Sequence, residues 1–210
     1  KNCNYIYMEL NEINKQIQNN PISKEQAKKQ FVDMTKELDI KHTFSFDEAY
    51  EIGMELRKRK AFRDQITQLE DIGKKEGHFL TPEETKKLNP VKHTFADGCY
   101  IREIFNPANE LLVTKIHKKE HPFFLMQGKM SILTEEGIKH IEAPHHGITK
   151  PGTKRIIFTH TDCVFVTVHA TDKTTVEEVE KQVIAEDFTD PEIAIEDINR
   201  LKESIKLKQQ

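Results

Sequence analysis

Cysteine is scarce in this chain, with only Cys3, Cys99 and Cys163 among 210 residues. Three scattered thiols cannot build a disulfide framework, which argues for a reducing, cytosol-like compartment. Long apolar runs are missing as well. No stretch approaches the roughly 20 residues that span a bilayer, and the amino-terminal residues lack the charged-then-apolar pattern of a secretion signal. Nor is there a surplus of one charge: 32 basic and 35 acidic side chains leave a net charge of -3, with no general drive toward nucleic acid or anionic membrane. The signature motifs of several enzyme classes are absent too. There is no G-x-x-x-x-G-K phosphate loop, no G-x-G-x-x-G fingerprint, no G-x-S-x-G nucleophile elbow and no paired C-x-x-C zinc site. Basic-aromatic interleaving of the nucleic-acid-binding kind is also lacking. An enzyme built on this chain is left with acid–base chemistry on a bound small molecule.

What is present divides near Pro90 by a change of period. Before it, apolar residues recur at helical spacing: Ile13 and Ile17, then Phe31, Met34 and Leu38, then Ile52, Leu56, Phe62, Ile66 and Leu69. Ser23 with Gln26 and Ser45 with Glu48 have capping-box spacing, and Thr81-Pro82-Glu83-Glu84 opens a further helix with Pro at its first position. Helices are expected at about 9–19, 23–38, 45–74 and 81–88. After Pro90 the chain breaks into short β-branched or aromatic runs, from Tyr100–Phe105 through Cys163–His169. Turn signals at Asn106-Pro107, Gln127-Gly128, Glu136-Gly137, Ala143-Pro144 and Pro151-Gly152 separate them at the spacing of an antiparallel sandwich or barrel. Near Thr174 the helical period returns through Val176, Val179, Val183 and Ile184, and Pro191 starts another helix. The expected class is α+β, with a helical module over 1–90, a β-barrel over 91–172 and C-terminal helices over 173–210.

Four motifs then bring a family into view: H-x-F-x-x-G-x-Y-x-R-E-I from His93 to Ile104, K-I-H-K-x-E-H from Lys115 to His121, P-G-T-K-R from Pro151 to Arg155, and T-V-H-A-T-D from Thr167 to Asp172. In this order they resemble the cupin-like, double-stranded β-helix proteins of tailed bacteriophages and prophages. The resemblance covers under half the chain and implies a jelly-roll barrel in the host cytoplasm or on the virion. It implies no particular activity. Barrels of this kind commonly pair, so a homo-oligomer is expected.

The chain departs from the metal-binding pattern of cupins in an informative way. Lys115 stands where the first histidine of their motif falls, His117 at the second and His121 at the glutamate, with Gly128 in register; Arg155 stands at the later histidine. An ammonium or guanidinium has no lone pair for a metal and repels one. His117 and His121 alone are too few for a tight site. His160 or His169 completes a three-nitrogen set if its strand faces inward. They lie nine residues apart, so on one unbroken strand they face opposite sides, but a turn at Thr161-Asp162 breaks that parity and leaves both open. The candidate metal set is His117, His121 and His160, for a divalent Zn, Fe, Mn or Ni ion.

The charges favour an anion. A pocket lined by Lys115, His117, His121 and Arg155, with Arg102 and Glu103 nearby, suits a phosphate, carboxylate or nucleotide, because Arg offers a fork and Lys a point charge. His117 and His121 are the candidate acid–base residues. Against this stand plainer alternatives: Lys115 and Arg155 in structural ion pairs with Glu103 or Glu135, His145-His146 in a loop, Cys99 and Cys163 as core packing, and Arg57–Lys60 as a solvated helix face. The competing reading of the whole protein is a non-catalytic scaffold whose helices at 9–74 dock onto a virion component or a host protein.

Overall fold

The computed structural model describes residues 46–193 together with Glu25, Lys29 and Asp197. Among the described residues, helices α1 (Phe46–Lys75) and α2 (Pro82–Leu88) precede Pro90. The helix expected at 9–19, the one expected at 23–38 apart from Glu25 and Lys29, which are helical, and the capping residues Ser23 and Ser45 fall outside the described residues. At α2 the cap forms as its sequence requires: the Thr81 hydroxyl accepts from the Glu84 amide at 3.3 Å, and the Glu84 carboxylate accepts from the Thr81 amide at 2.9 Å.

Beyond Pro90 the strands follow in order: β1 (Val91–Ala96), β2 (Cys99–Asn106), β3 (Leu111–Val113), β4 (Ile116–His117), β5 (His121–Gln127), β6 (Lys129–Thr134), β7 (Gly137–Glu142), β8 (His145–Thr149), β9 (Ile156–Thr159) and β10 (Cys163–Ala170). Helix α3 (Val176–Val183) runs directly into β11 (Ile184–Ala185), so Ile184 begins a strand rather than ending the helix, and residues 191–193 are helical again where Pro191 is expected to start one. Two further strands were hidden in the sequence. The exposed edge strand β1 has little apolar alternation, and β8 follows Pro144, where the turn signal outweighs H-H-G-I-T.

The main sheets have orders β1-β2-β10-β5-β8 and β3-β9-β6-β7, with every described pairing antiparallel. Setting β1 aside, the crossing of early and late strands in both sheets is the double Greek key of a jelly roll, the cupin-like fold. The pair β4-β11 stands apart as a two-stranded piece. Between the sheets lies a core of Phe123, Leu125, Met130, Ile132, Ile157, Cys163 and Phe165. Gly128 makes the turn from β5 to β6 at φ 90°, where a Cβ would strike the Asp162 carbonyl oxygen and stand 2.6 Å from Cys163 Sγ.

The outer face of the four-stranded sheet is covered by α1, which packs Phe62 and Ile66 onto Leu133, Ile156 and Phe158. β6 is therefore buried on both faces, and its sequence M-S-I-L is apolar almost throughout rather than alternating. Arg59 goes under with the helix. Expected on a solvated face, it is buried and bridges Glu135 at 3.4 Å and Asp197 at 3.1 Å. Truncating Phe62 to alanine opens a hole in this layer and should cost about 3–5 kcal/mol in denaturant unfolding. A cost under about 1 kcal/mol would mean that α1 is not fixed to the barrel. Among the described residues no helix is long and apolar enough to cross a membrane.

Candidate metal centre

Strand pairing gathers the polar interior. On β10 the inward side chains are Cys163, Phe165, Thr167 and His169, which are buried while Val164, Val166 and Val168 are only half so. Across the ladder Arg102 faces Thr167 and Tyr100 faces His169, so both share that inner face. On β5 the inward set is His121, Phe123 and Leu125, with Phe123 opposite Thr167. Two residues further along both strands, His121 comes to lie against His169. The third imidazole arrives from the end of the barrel. β4 pairs with β11 through His117 and Ile184, and the Gly152 amide donates to the His117 carbonyl at 2.8 Å, so α3 and the P-G-T-K-R turn together place His117.

The three rings form a compact cluster, with centroids 4.4 Å apart for His117 and His121, 4.3 Å for His121 and His169, and 5.7 Å for His117 and His169. One nitrogen from each lies within 4.8 Å of the others, within reach of a single ion. Burial holds all three imidazoles neutral, with help from neighbouring charge. His117 is pushed down to about 2 by burial and by the nearby His121, His169, Arg155 and Arg102. His121 and His169 are each pushed down to about 4, again chiefly by burial. The neutral ring is the form that binds a metal. Hydrogen bonds also orient the donors. His121 Nδ1 donates to the Lys119 carbonyl at 3.1 Å, which leaves Nε2 with the lone pair, and His169 Nε2 meets the Thr167 hydroxyl at 3.2 Å, which holds the ring in place. Three neutral nitrogen donors, convergent and dry, fit a divalent transition ion.

Two guanidiniums stand beside this cluster. Arg155 is buried, donates from Nη2 to Thr149 Oγ1 at 2.5 Å, and lies over the Phe123 ring at 4.8 Å. Burial lowers it to about 10. Arg102 is likewise held below its ordinary value by burial. Among the described residues neither pairs with a carboxylate, and the Arg102 side chain donates no hydrogen bond. Tyr100, buried and stacked at 6.1 Å on His169, bonds through its hydroxyl to His93 Nδ1 at 2.6 Å.

His117, His121, Arg102 and Arg155 are thus brought together, whereas three other candidates fall elsewhere. Lys115 precedes β4 and is exposed, paired at 3.2 Å with Glu180 on α3. Glu103 takes the outer face of β2 because Arg102 takes the inner one. His160 lies outside the histidine cluster: it follows the end of β9, is exposed, and its Nε2 meets Ser131 Oγ at 2.6 Å, next to His140. His169 occupies the third position instead, because the break between β9 and β10 resets the alternation. The doublet His145-His146 lies on β8 rather than in a loop. Arg155 forms neither of the ion pairs considered for it. Cys163 is wholly buried, with its thiol raised by burial, as packing requires.

No protein-family model matches the chain, and comparison with curated proteins finds no match. Solved structures are similar over part of it. An ectoine synthase from P. lautus is 12% identical over 44% of this chain and 70% of its own, with a TM-score of 0.37. The cupin domain of Schizosaccharomyces pombe Cnp3 is 17% identical over 46% of this chain and 72% of its own, with a TM-score of 0.34. A cupin superfamily protein from Desulfitobacterium hafniense is 9% identical over 40% of this chain and 78% of its own, with a TM-score of 0.35. The jelly-roll assignment rests on the strand order itself.

Proposed function

We propose that the barrel binds a divalent transition metal on His117, His121 and His169, and that the ion with Arg102 and Arg155 receives a small anion of carboxylate or phosphate type. The observation that carries this is the charge of the pocket. Three neutral ligands leave the ion's charge whole, the buried Arg155 and the half-buried Arg102 add to it, and among the described residues no carboxylate forms an ion pair with either one. Buried charge without a counterion is costly, so an anion from solution completes the site. All-imidazole ligation favours Zn, Fe or Ni over Mn, which prefers oxygen. Three protein ligands with open positions resemble catalytic rather than closed structural sites. When bound, such an ion supplies Lewis-acid polarisation of the ligand. Here His117 and His121 act as ligands rather than as the acid–base pair, and the guanidiniums orient the anion.

Metal and anion must then help each other to bind, reciprocally and by the same factor. We expect Co(II), followed by its visible absorption, to bind one per chain and about 5-fold or more tighter when acetate is present. Arg102→Met should keep the metal and lose most of that coupling. Absence of stoichiometric metal, or an affinity indifferent to acetate in the wild type, would overturn the reading.

A further inference from the structure

Next to Arg155, on the side bounded by β5, β6, β7 and β8, is a cavity of about 100 Å³. Its walls are mainly apolar, from Phe123, Ile132, Ile141 and Ile148, and the Arg155 guanidinium lies against the Phe123 ring at one of them. The register explains these walls. Phe123 faces inward on β5, Ile132 belongs to the core between the sheets, and Ile141 pairs with the inward Met130. Opposite Phe123 the ladder carries Gly147, where a Cβ would stand 2.7 Å from the ring, so the absence of a side chain there gives the ring its place.

The other charges around the cavity are already matched. Glu135 faces Arg59 at 3.4 Å, Glu136 accepts from Lys139 at 2.9 Å, and Lys150 pairs with Glu120. Arg155 differs: among the described residues its guanidinium hydrogen-bonds only to a hydroxyl, Thr149, and Glu136 attracts it without forming an ion pair. The cavity therefore joins a buried cation that has no direct carboxylate partner among the described residues to an apolar chamber. Such a chamber selects a molecule with a negative head and a short hydrocarbon tail. A cavity of about 150 Å³ lined by similar residues holds benzene, so this one has room for about four carbons.

We infer that the ligand is an amphipathic anion, a carboxylate or phosphate ester with an apolar chain of about four carbons that enters this cavity while its head meets Arg155. This rests on the anion-binding reading above and adds the class of molecule. The experiment is a series of straight-chain carboxylates, from acetate through pentanoate to octanoate, titrated into the Co(II)-loaded protein by calorimetry. Affinity should rise about fourfold per methylene, the equivalent of about 0.8 kcal/mol, as far as pentanoate, and level off by octanoate. Pentylamine should not bind. Ile141→Trp, which fills the chamber, should flatten the series while metal stoichiometry and acetate affinity are retained. Acetate binding with no dependence on chain length in the wild type overturns this inference and leaves the anion site standing. Loss of both metal and acetate binding sinks the anion site and this inference with it.

Discussion

Replacing His169 with alanine should abolish stoichiometric metal binding, and replacing His160 should leave it unchanged. In the first variant two imidazoles remain, His117 and His121, with their ring centroids 4.4 Å apart. Two nitrogen donors beside two guanidiniums cannot hold a divalent ion against their repulsion. Even second-sphere partners of metal ligands are worth about 10- to 100-fold in affinity, so loss of a ligand should exceed 100-fold. His160 lies outside the cluster, bonded to Ser131 and edge-on against Phe158 at 5.2 Å, so its truncation removes no donor from the cluster. Elemental analysis after dialysis against equimolar metal separates the two variants. Metal retained by His169→Ala, or lost by His160→Ala, would show that the three buried rings are not the site.

That contrast marks where the sequence could be read and where it could not. Turns were legible because glycine is needed in them: Gly128, Gly137 and Gly152 fall at the expected boundaries with φ of 90°, 108° and 73°. Helix α2 was legible from its cap, and α1 from its apolar spacing. The third histidine of the cluster was not, because C-V-F-V-T-V-H is apolar on both faces and alternation gives no parity when both faces are half-buried or better. The partnership of His121 with His169 is non-local, set by the ladder between β5 and β10, and no local pattern announces it. Lys115 shows the converse. Its position in the motif suggested a pocket residue, but the strand β4 begins after it, and Glu180 on α3 draws it to the surface. Glu103 was misplaced for a simpler reason: adjacent residues on a strand face opposite ways, so Arg102 and Glu103 cannot both line the interior.

The buried imidazoles also make the metal-free protein sensitive to acid. His121 has an ordinary value of 6.5 and sits at about 4 in the fold, and His169 likewise. The unfolded chain therefore binds more protons than the folded one between these limits, so stability rises with pH across them. The contribution is whole above pH 6.5 and is lost as the pH falls from there toward 4. At pH 5, His121 alone should remove on the order of 2 kcal/mol, with His169 and His117 adding in the same direction. Chelated protein unfolded by urea at pH 7.5 and at pH 5 reports this loss directly. A metal bound as proposed would occupy the same lone pairs and add about 2.7 kcal/mol at a free concentration one hundred times its Kd, so the loaded protein should hold its stability to lower pH. Because protons compete weakly for rings held near 4, the ion itself should stay bound at pH 5, where ordinary histidine sites are largely protonated. Equal stability of the metal-free protein at both pH values would mean that these rings titrate as they do in water, and that the pocket is open rather than dry.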